Sequence, residues 1–134
     1  MGLKAALQSA LAEAGIRPSS IGFINAHGTG THENDLVEGK ALSDIFGPDL
    51  IMLSTKGFTG HTLGAAGGIE AVFTAAGLRA GWVPASAGFQ SKDEAIPISP
   101  VREKTIITGR FALSTSLAFG GTNAAIVIGR ETDA

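Results

Sequence analysis

Leu3, Ala6, Leu7, Ala10, Leu11 and Ala14 recur at helical spacing, and Gly15 with Pro18 supplies a stop, so the chain opens with an amphipathic helix. The apolar run Ile21-Gly22-Phe23-Ile24-Asn25-Ala26 then predicts a short buried strand, closed by a Gly and Thr loop from His27 to Thr31. Leu36, Ala41, Leu42 and Ile45 mark a second helix that starts after the polar run His32 to Asp35 and stops at Gly47-Pro48. Ile51 to Ser54 reads as a second strand. After another glycine-bearing loop, the stretch from Thr62 to Ala80 is apolar almost all round, which predicts a helix buried on most of its faces. Pro84, Pro97 and Pro100 limit regular structure between Gly81 and Lys104 to mostly loop. Phe111 to Leu117 and Ala124 to Ile128 are strand-like, and Gly120-Gly121-Thr122-Asn123 between them is a hairpin signal. The expected architecture is α/β, one domain over residues 1–134, with helices packed on a mixed, mostly parallel sheet that ends in a β-hairpin.

Composition narrows the chemistry. The 134 residues are 44% apolar, with a mean hydropathy of +0.26, enough to bury a core and to exclude disorder. Ten Lys and Arg against 12 Asp and Glu leave a formal charge of −2, with no basic block dense enough to follow a nucleic-acid backbone. With no Cys, the chain itself offers no disulfide, thiolate metal site or thiol nucleophile. No run of 18 apolar residues and no secretory signal occur, so the expected setting is soluble and cytoplasmic. Met1-Gly2 opens like a myristoylation signal, but position 6 is Ala6 where Ser or Thr is needed.

Three loops at predicted strand ends carry polar groups, where open α/β sheets place ligands. In His27-Gly28-Thr29-Gly30-Thr31 the third glycine of a dinucleotide fingerprint would fall at Glu33, and no Gly-Lys-Ser/Thr phosphate loop exists. A zinc helix starting from His32-Glu33 would need histidine where Leu36 stands, so no metal site is expected. The loop from Ser54 to His61 sets Lys56 and His61 around a glycine turn just ahead of the apolar helix. A helix N-terminus favours a neutral imidazole able to donate an N–H. Glu70 sits inside that helix, where a lone carboxylate is costly, and Lys56 is its nearest cationic candidate. Phe119-Gly120-Gly121-Thr122-Asn123 joins a bulky ring to two flexible residues, suited to a movable gate. Taken singly, these residues leave structural readings open: a hydrogen-bonded loop histidine, a structural Lys56–Glu70 ion pair, threonines bonded to local backbone, a core phenylalanine.

Together they resemble the β-ketoacyl-acyl carrier protein synthases, condensing enzymes of thiolase-like fold. His27-Gly28-Thr29-Gly30-Thr31 followed by Asp35 and Glu38, Lys56 ahead of Gly60-His61, Glu70 beyond them, and Phe119-Gly120-Gly121-Thr122-Asn123 stand in the family's order. The similarity covers nearly the whole chain and corresponds to the C-terminal half of such an enzyme. It implies a decarboxylative Claisen condensation in fatty acid, polyketide or polyene synthesis, with the acyl group held on a Cys of the absent N-terminal half. His27 and His61 would be neutral donors to the enolate oxygen, and Lys56, held by Glu70, would organise His61. Thr29 and Thr31 would contact the phosphopantetheine arm, Gly120 would belong to the substrate site, and Phe119 would gate the acyl pocket with its ring and donate its backbone N–H. The implied partners are the acyl carrier protein, the missing half and a second copy in a dimer; the pantetheine arm arrives with the substrate, and no further cofactor is implied. His32-Glu33-Asn34 stands where the family commonly has Pro-Leu-Gly, and Ala118 where it has Gly. A non-catalytic chain-length-factor-like subunit is the rival reading, and a small-molecule-binding α/β module a third.

Overall fold

The computed structural model describes residues 2–131; Met1, where the myristoylation pattern would begin, and residues 132–134 of the expected domain lie outside it. Helix α1 (Gly2–Ala14) leads into strand β1 (Ile21–Asn25), helix α2 (His32–Phe46), strand β2 (Met52–Leu53), the short helix α3 (Lys56–Thr59) and helix α4 (Ala66–Ala80). Strands β3 (Trp82–Val83), β4 (Thr105–Ile106), β5 (Phe111–Leu117) and β6 (Asn123–Gly129) complete the chain. The main sheet has the order β2-β1-β5-β6; β1 runs parallel to both β2 and β5, and β5 pairs antiparallel with β6 to form the closing hairpin. β3 and β4 form a separate antiparallel pair.

Side-chain alternation along the strands builds two cores, one on each face of the sheet. Ile24, Met52 and Leu113 point toward α1 and α2, where they meet Leu3, Leu7, Ala41 and Leu42. Their strand neighbours Phe23, Leu53 and Ala112 point the other way and pack with Leu78 of α4, Val83 and Ile107. The result is a three-layer α/β/α stack. Because β1, β2 and β5 are parallel, their C-terminal ends share one edge, and the three polar loops of the sequence all emerge there.

Several boundaries differ from the sequence expectation. Helix α2 begins at His32 and takes in the whole polar run, because Glu33 and Asp35 in its first turn complement the helix dipole. The loop after β2 contains a turn of helix, α3. The stretch from Thr62 divides into a 3-10 turn, Leu63–Ala65, and α4 proper. Nor is that helix buried on most faces. Only Ala66, Glu70, Thr74 and Leu78 are buried, a single stripe at four-residue spacing against the sheet, while Val72 and Phe73 are exposed. The sheet covers one side of α4 and no described element covers the other. Within the stretch read as loop, Trp82 and Val83 are strand, paired with Ile106 and Thr105.

Replacing Leu78 with Ala removes a fully buried side chain between α4 and the sheet and is expected to lower the unfolding free energy by about 2–5 kcal/mol in urea titrations. Val72→Ala, on the uncovered face, is expected to change it by less than about 0.5 kcal/mol.

Candidate active site

The shared strand edge is fixed first by a buried amide. Asn25, at the end of β1, accepts the Thr55 N–H through Oδ1 at 3.1 Å and donates through Nδ2 to Thr55 Oγ1 at 3.1 Å and to the Glu70 carbonyl at 3.3 Å. One side chain thus ties the ends of β1 and β2 to α4. The next residues, His27 and Gly28, are held from two directions. Glu38, buried on α2, accepts the His27 N–H at 2.9 Å, the Gly28 N–H at 2.8 Å and the Thr115 hydroxyl at 2.7 Å. Asn34 Nδ2 adds a weaker contact at 3.3 Å. From the other side Ser54 Oγ donates to the Gly28 carbonyl at 3.1 Å. Gly28 has φ +44°, and a Cβ there would fall 2.5 Å from Ser54 Cβ, so only glycine fits. Burial pushes the Glu38 carboxyl up, and the surrounding hydrogen bonds oppose that rise.

Lys56 points from the start of α3 into the space between His27 and α4. Its ammonium is buried, forms an ion pair with the Glu70 carboxylate, and donates to His27 Nδ1 at 3.1 Å. Ammonium has only hydrogens to offer, so Nδ1 of His27 is the acceptor and the ring proton belongs on Nε2. Burial, then the Lys56 charge, then His61 lower the His27 pKa to about 4, so the ring is neutral at pH 7. His61 is set the same way by a different partner: its Nδ1 accepts the Leu63 N–H at 3.1 Å, which leaves its proton on Nε2. The two rings meet edge to face, with centroids 5.4 Å apart and planes at 84°. The arrangement presents two neutral N–H donors beside each other, with a buried cation behind one of them.

The expected site residues are therefore only partly gathered. His27, Lys56, Glu70 and His61 form one cluster. Lys56 reaches His27, not His61 as expected, because α3 carries its side chain to Nδ1 of His27 while the chain turns through Gly60 before His61. His61 does not sit at the start of α4; it precedes the 3-10 turn, whose Leu63 N–H fixes its ring. Thr29 and Thr31 share a hydrogen bond through their hydroxyls at 3.0 Å. Phe119 is fully exposed at the end of β5, outside the hydrogen-bonded cluster, in a turn where Gly120 and Gly121 both have φ +81°. A cavity of about 660 Å³ opens beside the cluster, with Thr29, Ser54, Lys56, His61, Met52 and Ile96 in its walls. Among the described residues no three His, Asp or Glu side chains converge as a cation site.

Asn25, Ser54 and Thr115 carry geometry that their sequence context hardly announces, and Glu38, though it stands in the motif order, has a role that the sequence does not assign. Two do leave a trace. Asn25 ends an otherwise apolar strand, and Glu38 lies within one turn of Ala41 and Leu42 on the buried stripe of its helix.

The chain is similar to known proteins in sequence and in fold. Residues 1–90 match the family described as Beta-ketoacyl synthase, C-terminal domain. The chain is 42% identical over 127 residues to the chloroplastic 3-oxoacyl-[acyl-carrier-protein] synthase II of Arabidopsis thaliana, covering 90% of this chain and 23% of that protein. Among solved structures, a β-ketoacyl synthase from Burkholderia phymatum superposes with TM-score 0.93 at 32% identity, over 97% of this chain and 32% of that one. A ketosynthase in complex with its chain length factor, from Xenorhabdus doucetiae, gives 0.84 at 38% identity, over 94% and 32%. The chain thus spans about a quarter to a third of the length of these relatives.

Two measurements follow from the cluster. Glu70→Ala leaves the buried Lys56 ammonium unpaired and is expected to cost about 3–5 kcal/mol in urea unfolding, most of which a Lys56→Met, Glu70→Leu double variant recovers. His27 binds its proton more weakly folded than unfolded, so the stability it protects is present above pH 6.5 and is lost as pH falls toward 4. Unfolding free energies measured across that window should decline toward acid, and His27→Gln should flatten the slope.

Proposed function

This chain belongs to the β-ketoacyl synthase C-terminal domain family, and from that premise we propose that it supplies the enolate-stabilising half of a condensing enzyme acting on acyl carrier protein thioesters. In this reading malonyl-carrier protein loses CO2: the bond between the α-carbon and the carboxyl carbon breaks, and its electron pair moves into an enolate whose negative charge gathers on the thioester oxygen. His27 Nε2–H and His61 Nε2–H donate to that oxygen. The enolate carbon then attacks an acyl thioester held on a Cys outside this chain, forming the new carbon–carbon bond and releasing the thiolate. Fixed neutral donors of this kind lower such a barrier by about 3 kcal/mol each, because they are already aimed where charge develops. Lys56 keeps Nδ1 of His27 occupied and its Nε2 proton in place, and Glu70 neutralises the ammonium that does so. The observation that carries the reading is this pairing, two imidazoles packed edge to face with both Nδ1 atoms engaged, which assigns the proton of each ring to Nε2.

Thr29 and Thr31, next to the donors, would steer the phosphopantetheine arm, and Phe119 with Gly120 would gate the acyl pocket from the end of β5. The exposed Phe119 ring suits a gate whose closed contacts come from another part of the protein. The same holds for the uncovered side of α4, where Val72 and Phe73 are exposed and Phe73, with the exposed Phe58 of α3, lines an apolar cavity of about 370 Å³. With the chain spanning 23% to 32% of its relatives, the occupant proposed for that face is the rest of the synthase. A dimer of the complete protein and docking by acyl carrier protein belong to the same proposal.

A chain-length-factor-like subunit is the second reading, favoured by the likeness to a ketosynthase solved with such a partner. A scaffold has no need of a buried ammonium behind a donor histidine, and the intact cluster supports the first. The test is malonyl decarboxylation by the complete protein. His27→Ala and His61→Ala should each lower it by about 100-fold or more with the fold intact by circular dichroism. Decarboxylation at the unmodified rate in either variant defeats the donor assignment. The 134-residue chain alone, given acyl- and malonyl-carrier protein, should form no condensation product.

A further inference from the structure

The stretch from Ser86 to Val101 reads in sequence as a proline-punctuated connection, yet it is fastened to the catalytic edge at both ends. Val101 N–H donates to the Met52 carbonyl at 2.9 Å, and Ser86 Oγ accepts the Ser54 N–H at 3.2 Å, so the segment covers the free edge of β2. Ser86 N–H in turn donates to the Val101 carbonyl at 2.9 Å, which closes the segment on itself. Its closest approach comes next. A Cβ on Gly57 would fall 2.3 Å from the Ala87 carbonyl oxygen and 3.0 Å from the Ala87 carbonyl carbon, so the backbone of the segment rests directly on α3. Gly57 adjoins Lys56. Farther along, Ile96 fills the notch over Gly39, where a Cβ would come 2.5 Å from its Cγ2, and Gly39 adjoins Glu38. The two side chains that hold His27, one by its ring and one by its backbone, each precede a glycine on which this segment sits.

We propose that the 86–101 segment is a positioning strap: the seat of Ala87 on Gly57 sets how deeply Lys56 reaches toward His27. Gly57 and Ser86, which also border the cavity beside the cluster, are then positioning residues that act through Lys56. The relation to catalysis rests on the donor assignment above, whereas the relation between strap and Lys56 does not. Any side chain at Gly57 must push α3 away from rigid backbone, because the obstructing atom is a carbonyl oxygen and cannot swing aside. Withdrawing the ammonium from Nδ1 removes one of the causes that hold the His27 pKa low.

The test is a histidine titration by NMR on the full chain. Gly57→Ala should raise the His27 midpoint by about one pH unit or more, toward the ordinary imidazole value. Gly64→Ala, which meets no atom within 4 Å, should leave it in place. If Gly57→Ala fails to fold, Ser86→Ala, which only removes the acceptor for the Ser54 N–H, should move the midpoint in the same direction by a smaller amount. A His27 midpoint unchanged in the folded Gly57→Ala chain, or in Ser86→Ala when that is the variant that folds, overturns the strap. In the complete protein, Gly57→Ala should lower kcat for malonyl decarboxylation by about tenfold or more with KM nearly unchanged, as loss of a transition-state interaction requires. A raised midpoint with full decarboxylation upholds the strap and counts against His27 as a donor.

Discussion

A buried ammonium is the constraint around which this structure is arranged. Lys56 carries a full charge in a place where the chain leaves almost no water, and a charge so placed stays only if its partners satisfy it. Glu70 supplies the countercharge from α4 and His27 supplies a neutral acceptor from the loop after β1. The two contacts come from different layers, the helix on one face of the sheet and the sheet edge itself, and α3 carries Lys56 between them. Asn25 joins the same elements through its amide, so the geometry of the ion pair and the ends of the strands are set together. The imidazole tautomer that matters for chemistry is a consequence of this arrangement, since an acceptor fixed at Nδ1 leaves the proton at Nε2.

Around that center the remaining polar groups divide between holding backbone and facing solvent. Glu38 accepts the backbone N–H groups of His27 and Gly28, sharing the first with the Thr115 hydroxyl, and it links them through Thr115 to β5, the strand that leads to Phe119. His27, helix α2 and strand β5 are coupled in this way by side-chain hydrogen bonds. One face of α4 serves the sheet, and its other face is apolar and open, which fits a chain that spans a third or less of its relatives. Among the described residues no helix is long and apolar enough to cross a membrane.

Much of the fold was legible in the residue pattern, because the two periodicities are unambiguous where Leu3, Leu7 and Leu11 repeat on a helix and Ile24 alternates with Phe23 on a strand. The polar start of α2 was not: His32 to Asp35 look like loop residues, and it is the dipole and the geometry of Thr31 that make them a first helical turn. The burial of α4 is narrower than its composition suggests for a related reason. Composition reports what could be buried, and only the sheet decides which stripe is. In the candidate site, the pairing of Lys56 with Glu70 followed from the cost of a lone buried carboxylate. The histidine that Lys56 touches did not follow, since its choice depends on a single turn of α3 and on the glycine after it. Ser86 and Gly57 were silent in sequence because their significance is a contact between segments about thirty residues apart.

The proposed enolate-donor role stands on the protonation state of the two imidazoles. Long-range nitrogen–proton correlation spectra of the uniformly 15N-labelled chain report it directly, with His27→Gln and His61→Gln used for assignment. Both rings should be neutral at pH 7 with the proton on Nε2, and His27 should remain so until the pH approaches about 4. An imidazolium at His27 at pH 6, or a proton on Nδ1 of His27 or His61 at pH 7, would contradict it.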